Sequence, residues 1–476
     1  MHWIDVVIFI CYFLAMIGVG FYFFRKNTNT DEYYVGNRNI KSWHIGLSVV
    51  ATDVGGGFSI GLGGLGFAIG ISGSWMLFTG LLGAWLSAIF LIPKVYPLSS
   101  KLRLLTFPQI FQKLSGKKVF YAAAVITTIG YIGFTSSQIL AGAKLASAAF
   151  TAINLKYAII LMGIIVVVYT SLGGIKAVIY TDTIQWIILL VGLILIGIPL
   201  GYISINKEVS MFQVLPQKFF SFTNITWKTF FNWLITILPI WFVGMTLYQR
   251  IYASKNLKSA KKAWYIAGVL EYPFMAFLGV VLGLFARVGA EIGLYEVIGG
   301  SVANMDPEMG LPIFLKTIFP VGFLGVMLAA YFSAIMSTAD SCLIAASGTM
   351  TNDILGIHKD KSLKTFQIIT LLIGVISVYL AMSMTNVLEM MLYSYSIMVS
   401  GLLVPVLAIF YSKKMNENAV FWSMVTGGAV TLGLSLTNLN LYGIDENFYG
   451  IGSSLIVYIL LSNVSKVSTI KTATHI

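Results

Sequence analysis

Apolar runs of about 20 residues recur from one end of this 476-residue chain to the other, separated by short loops that hold most of the charge. A run of that length crosses the hydrocarbon core of a bilayer as a helix. Thirteen spans are predicted, near residues 3–24, 43–70, 74–93, 119–150, 157–172, 179–203, 227–249, 262–289, 312–353, 364–383, 386–411, 420–437 and 446–463. The first run is too long for a removed signal peptide and lacks its cleavage site, so it is read as a span. The expected fold class is an all-α polytopic membrane protein with about 13 transmembrane helices.

Within the ninth span the apolar pattern is broken by a polar stripe. Ala334, Ser337, Thr338 and Ser341 stand at i, i+3, i+4 and i+7 and share one helix face, with Asp340 at its edge. Hydroxyls and a carboxylate are hard oxygen donors, suited to a small hard cation. An ionisable side chain inside a span costs about 2.5–3.5 kcal/mol on insertion scales, which marks function. Hydroxyls alone could be helix–helix glue; the added Asp favours an ion site.

Two other spans are predicted to be interrupted. Ala51-Thr-Asp-Val-Gly-Gly-Gly-Phe58 puts an Asp and three glycines at mid-membrane, each glycine costing about 1 kcal/mol relative to alanine. Pro239-Ile-Trp-Phe-Val-Gly244 interrupts the seventh span. Broken helices at corresponding places in two five-helix halves point to an inverted-repeat transporter with its solute at the breaks. The division expected of residues 1–476, read as one membrane domain, is a peripheral helix 3–24, repeats 43–203 and 227–411, and two peripheral helices 420–463.

Composition agrees with this pattern. The chain is 58% hydrophobic and 10% charged with mean hydropathy +0.87, against about 25% charged in soluble domains. The +12 net charge suggests topology rather than nucleic acid. With alternating loops, 23 of the 30 Lys and Arg fall on one side, so by the positive-inside rule the N-terminus is outside and the C-terminus cytoplasmic, in a plasma (inner) membrane. Cys11 and Cys342 lie in apolar runs and offer no structural disulfide. The tail after Ser462 is too short to fold alone, which argues against a receptor with an output domain, and no pore loop or charged ring suggests a channel. His2, His44, His358 and His475 are scattered, so no catalytic cluster is expected. The partners expected are membrane lipid and a small-molecule solute, with no obligatory protein partner evident.

The remaining membrane carboxylates leave alternatives open. Asp182, after the Gly173-Gly174 turn, either caps the sixth span or shares in an ion site or exit path. Glu271, beside Pro273, is a candidate partner for a kink or for Lys144. The Tyr248-Gln-Arg-Ile-Tyr252 cluster reads as an interfacial anchor that could also gate.

Several motifs in order and spacing make the chain resemble the sodium/solute symporter family, which includes carriers of proline, pantothenate, sialic acid, glucose and choline. They are Gly325–Ser347 with its Ser333–Ser341 core, residues 31–38, 106–111 and 169–185, and Tyr248-Gln-Arg250. The resemblance implies a sodium-coupled symporter working by alternating access, with thirteen spans of which the second to eleventh form a five-plus-five inverted repeat of LeuT type. Its transported coupling ion, Na+, would be held by backbone carbonyls of Ala51, Val54 and Ala334 and hydroxyls of Ser337 and Thr338. A second sodium site found in some members would map onto Asp182, Ser337, Asp340 and Ser341, although Asp340 stands where certain two-sodium members have a hydroxyl.

The solute pocket is expected beside the two breaks. Asp53, Gly55, Gly56 and Phe58 would form one wall and Trp241 with Phe242 or Met245 the other, with Gln138 and Trp75 as further contacts. The Val54-Gly-Gly-Gly-Phe-Ser run and Tyr180-Thr-Asp resemble the choline-carrier branch, yet Asp53 replaces that branch's aromatic residue, and proline carriers have Asp there. A quaternary ammonium needs an aromatic box. An amino acid or other zwitterion or amine is therefore favoured over a sugar, sialic acid or carboxylate.

Overall fold

The computed structural model describes residues 2–26, 35–150, 153–172, 175–207, 210–297, 301–357, 363–412, 415–437, 439 and 441–464. The Gly173-Gly174 turn and residues 31–34 of the predicted motif lie outside them. Among the described residues the regular structure is helical. In chain order the main helices are α1 (Trp3–Lys26), α2 (Ser42–Ile69), α3 (Trp75–Leu86), α4 (Ile92–Leu102), α5 (Pro108–Leu114), α6 (Lys117–Ala149), α7 (Leu155–Leu172), α8 (Ile175–Gly192) and α9 (Ile198–Ile205). They continue with α10 (Trp227–Val243), α11 (Met245–Ala253), α12 (Leu257–Val269), α13 (Ala276–Glu291), α14 (Pro307–Ile318), α15 (Phe323–Thr349), α16 (Leu363–Ser383), α17 (Val387–Tyr411), α18 (Glu417–Leu436) and α19 (Glu446–Val464).

Among the described residues eight helices are long and apolar enough to cross a membrane, or nine when the α10–α11 pair counts as one bent span. Their burial separates the layers. The best window of α15 with its following turn is 89% buried, while that of α8–α9 is 28% buried. The first is therefore an inner helix and the second presents most of its surface to lipid. α2 packs against α8, α12, α13, α14 and α15, and α6 packs against α7, α15, α16 and α17. α1 lies along α15, and its Asp5 carboxylate accepts from the Gly322 and Gly325 N–H groups at 2.7 and 2.9 Å. That satisfies donors at the α15 N-terminus which no helical carbonyl can reach.

Both predicted breaks are present, with one displaced. In α2 the break falls at Gly55, whose φ of +34° favours glycine. α10 absorbs Pro239 within its length, and the 42° bend comes at Gly244, in extended backbone. The predicted span 312–353 divides instead into α14 and α15, since Pro320 and Gly322 (φ +88°) separate them.

Candidate functional site

The α2 break faces the polar stripe of α15. Thr338 Oγ1 donates to the Ala51 carbonyl at 2.9 Å and lies 3.2 Å from the Ala334 carbonyl, so three predicted sodium ligands gather at one point. A Cβ on Gly55 would meet Thr338 Oγ1 at 2.7 Å, which places that hydroxyl directly against the break. Val54 lies in the helical turn before Gly55; its side chain and that of Phe58 are outside the described residues. Gln138 of α6 accepts from the Gly56 N–H at 2.8 Å, so it serves the interrupted backbone. Gly56 itself is a close-approach position: a Cβ would meet Ile335 at 2.6 Å and Ala141 at 2.9 Å.

Ser337 turns to the other side and donates to Asp182. Asp182 is fully buried in the body of α8 and also accepts from Ser48 at 2.5 Å. The capping alternative is thereby corrected, because Asp182 lies seven residues beyond Ile175, almost two turns inside α8. Asp340 accepts from Thr170 of α7 at 2.5 Å through one oxygen, while the other is buried without a donor.

Arg250 is the residue that sequence reasoning misplaced. It is 0% exposed, as is Tyr248, so the 248–252 cluster is no interfacial anchor. The bend at Gly244 swings α11 into the bundle. There Arg250 donates to Thr52 (2.6 Å), Ser341 (3.0 Å), Ser48 (3.2 Å) and the Thr246 carbonyl (3.2 Å), with Asp182 3.9 Å away. A tethered cation thus stands among residues predicted for the second sodium site. A basic residue at the end of an apolar run looks interfacial; only the bend reveals otherwise.

A small cavity lies next to this cluster, lined by Asp53, Tyr131, Phe134, Ile240, Leu247 and Tyr395 among others. Of the predicted solute contacts, Asp53 lines it. Trp241 packs instead against Gly83 and Trp264, the Met245 sulfur accepts from the Phe107 N–H at 3.0 Å, and the Phe242 carbonyl accepts from Tyr248. Trp75 sits in an aromatic cluster with Phe78, Phe222 and Phe230. Glu271 does not pair with Lys144, which is held by Asp306 and Glu308.

A family model described as the sodium:solute symporter family matches residues 33–427, most of the chain. The chain belongs to this family. The symporter is 29% identical to the osmoregulated proline transporter OpuE of Bacillus subtilis, with 96% of this chain and 94% of that one aligned. It is 27% identical to the rabbit (Oryctolagus cuniculus) sodium/glucose cotransporter 1 over 95% of this chain and 73% of that protein. Among solved structures it resembles a substrate-bound, outward-open Na+-coupled sialic acid symporter, with TM-score 0.77 at 21% identity over 98% and 99% of the two chains. Mhp1, a nucleobase-cation-symport-1 family transporter, shares the fold more distantly, with TM-score 0.58 at 13% identity. The symporter is thus an integral membrane protein of LeuT-type fold that couples a small solute to sodium.

Proposed function

We propose that the symporter imports a small zwitterionic or cationic solute, amino acids first, by alternating access, with sodium bound where α2 breaks against α15. The observation that carries the reading is the convergence of the Ala51 and Ala334 carbonyls with the Thr338 hydroxyl at Gly55. In this reading Val54 contributes its carbonyl and Ser337 its hydroxyl, and Ser337 links the site to Asp182. Asp182, Asp340 and Ser341 form a second cation site, which the Arg250 guanidinium occupies when the path is shut. Withdrawal of Arg250 would leave Asp182 without its cation and so favour sodium there.

One sodium ion moving down 100 mV supplies about 2.3 kcal/mol, and a tenfold gradient adds roughly 1.4 kcal/mol. That is enough to accumulate a solute several-hundredfold. The two breaks, five spans apart by sequence, support a five-plus-five inverted repeat within thirteen spans. The charge bias supports a plasma-membrane carrier with its C-terminus in the cytoplasm.

Uptake into proteoliposomes tests this. L-proline, L-alanine, choline, D-glucose and N-acetylneuraminate would each be offered under an inward sodium gradient and under a matching potassium gradient. Accumulation of an amino acid with sodium alone is expected. Equal uptake with potassium would remove sodium coupling from this chain, and accumulation of the sugar alone would overturn the solute class.

A further inference from the structure

α12 and α13 together form one apolar run, Leu257–Glu291, whose two ends treat charge differently. At the far end Arg287 donates to Glu291 at 2.8 Å. The lysines that open α12 have no such partner. Residues 94–118 and 255–262 together hold ten Lys and Arg and no Asp or Glu. Among the described residues no ion pair ties Lys94, Lys258, Lys261 or Lys262 to a carboxylate.

The helix period gathers these charges. Lys258, Lys261, Lys262 and Tyr265 stand at i, i+3, i+4 and i+7 and share one face of α12. Ala260, Ala263, Trp264 and Ala267 are buried on the opposite face. Tyr265 and Val269 continue the lysine face into the apolar run and are exposed. Lysines this close to a helix start are opposed by the macrodipole, and no acidic residue stands in the first turn to offset them.

α3 and α4 run antiparallel beside α12. Tyr96 donates its hydroxyl to the Ser254 carbonyl and Trp85 donates Nε1 to the Tyr265 carbonyl, both at 3.4 Å. That register brings Lys94 to the level of the first turn of α12. Trp85, Ile89 and Phe90, on the membrane side of Lys94, are exposed. The Trp85 and Tyr265 rings meet edge to face, 6.2 Å between centres, where the basic end gives way to the apolar strip. Aromatic rings hold that place at the headgroup level of a bilayer.

The surface therefore calls for an occupant that is anionic at one end and apolar along the rest. A soluble anion would match the lysines alone. A zwitterionic lipid would match the strip but bring its own cation to the lysines. We propose that this face binds an anionic phospholipid, with its phosphate at Lys258, Lys261 and Lys262, Lys94 at the same level, and its acyl chains along Tyr265, Val269 and Trp85.

Native mass spectrometry of the detergent-purified protein tests this, with dioleoyl phosphatidylglycerol and dioleoyl phosphatidylcholine added separately and the first bound lipid followed. Wild type should hold phosphatidylglycerol at least tenfold more tightly than phosphatidylcholine. Lys258→Gln with Lys261→Gln and Lys262→Gln should weaken phosphatidylglycerol tenfold or more. Neutralising three other exposed lysines of the basic side, Lys113→Gln with Lys117→Gln and Lys118→Gln, should leave its affinity within twofold. Lys262→Glu, a single change at an exposed position, should weaken it in the same direction even if the triple variant folds poorly. Glycerol 1-phosphate, the headgroup without chains, should not displace the lipid even in large excess. Equal binding of the two lipids, phosphatidylglycerol affinity unchanged in both α12 variants, or an equal loss in the Lys113 set overturns the proposal. Displacement by glycerol 1-phosphate would show a site for a soluble anion and overturns it too. The measurement needs no transport, so its failure leaves the carrier reading standing.

Discussion

Two groups of carboxylates in this molecule are built on opposite principles. Where α6, α14 and α17 meet, Lys144 Nζ lies 2.5 Å from Asp306 and 2.6 Å from Glu308. The other Asp306 oxygen accepts from the Glu308 N–H, and Glu308 also takes the Val387 and Leu388 N–H groups. All four carboxylate oxygens there have a donor. By contrast, Asp53, Glu271 and Asp340 together leave four oxygens buried without one. Burying charge is tolerated when protein groups satisfy it. Completeness of the donor set thus sets the Lys144 cluster apart from Asp53, Glu271 and Asp340, while Asp182, whose two oxygens accept from Ser337 and Ser48, is satisfied by hydroxyls.

The largest effect that would break this contrast is on stability. Lys144→Met removes the only cation of the satisfied cluster and strands Glu308, which is 3% exposed. A loss of about 3–5 kcal/mol is expected, seen as a fall in melting temperature in detergent, with the half-saturating sodium concentration within twofold of wild type. A matching collapse of sodium affinity would mean that the two clusters are one functional unit.

Removing both hydroxyls from the break, Ser337→Ala with Thr338→Ala, takes two hard ligands from α15 and leaves its helix intact. Half-saturating sodium for uptake should rise at least tenfold, as expected for two lost ligands of about 1–1.5 kcal/mol each. The sodium-free melting temperature should change by a few degrees at most. Unchanged sodium dependence would place the ion elsewhere.

Asp340→Asn probes the second cation site more gently. The variant keeps an acceptor for Thr170 and loses only charge. A Hill coefficient for sodium falling toward one, with a three- to tenfold weaker sodium dependence, fits a ligand of a second ion. A curve superimposable on wild type would make Asp340 a structural partner of Thr170.

What could be read from sequence follows from which features are local. The helix period put Ala334, Ser337, Thr338 and Ser341 on one face, and three glycines beside Asp53 announced the α2 break. Neither signal needs knowledge of a neighbouring helix. Arg250 was illegible because its environment is set by the bend at Gly244, six residues earlier, which turns an apparent membrane-edge residue inward. Glu271 was illegible because the wide turn at 270–275 resets the helical register, so periodicity across it no longer tells which way a side chain points. Gly56 misled in the opposite sense. Its place in a glycine run suggested open backbone, yet Ile335 and Ala141 fill the space beside it.

The smallest expected effect concerns an intermediate case outside the spans. Asp445, in the turn before α19, accepts from the Asn232 side-chain amide at 2.8 Å. Burial, and secondarily the Glu446 carboxylate, push its carboxyl up to about 6. The neutral form is thus the one that the folded state prefers. Its contribution to stability is complete at pH values below the ordinary carboxylate range and is lost as pH rises through about 6. Asp445→Asn keeps the acceptor for Asn232 and removes the charge. It should therefore raise the melting temperature by roughly 1–2 °C at neutral pH and make no difference in acid, where the wild-type carboxyl is already protonated. A stabilisation of equal size at every pH would show that charge is not the cause, and the donor-set argument would then not extend to half-buried carboxylates.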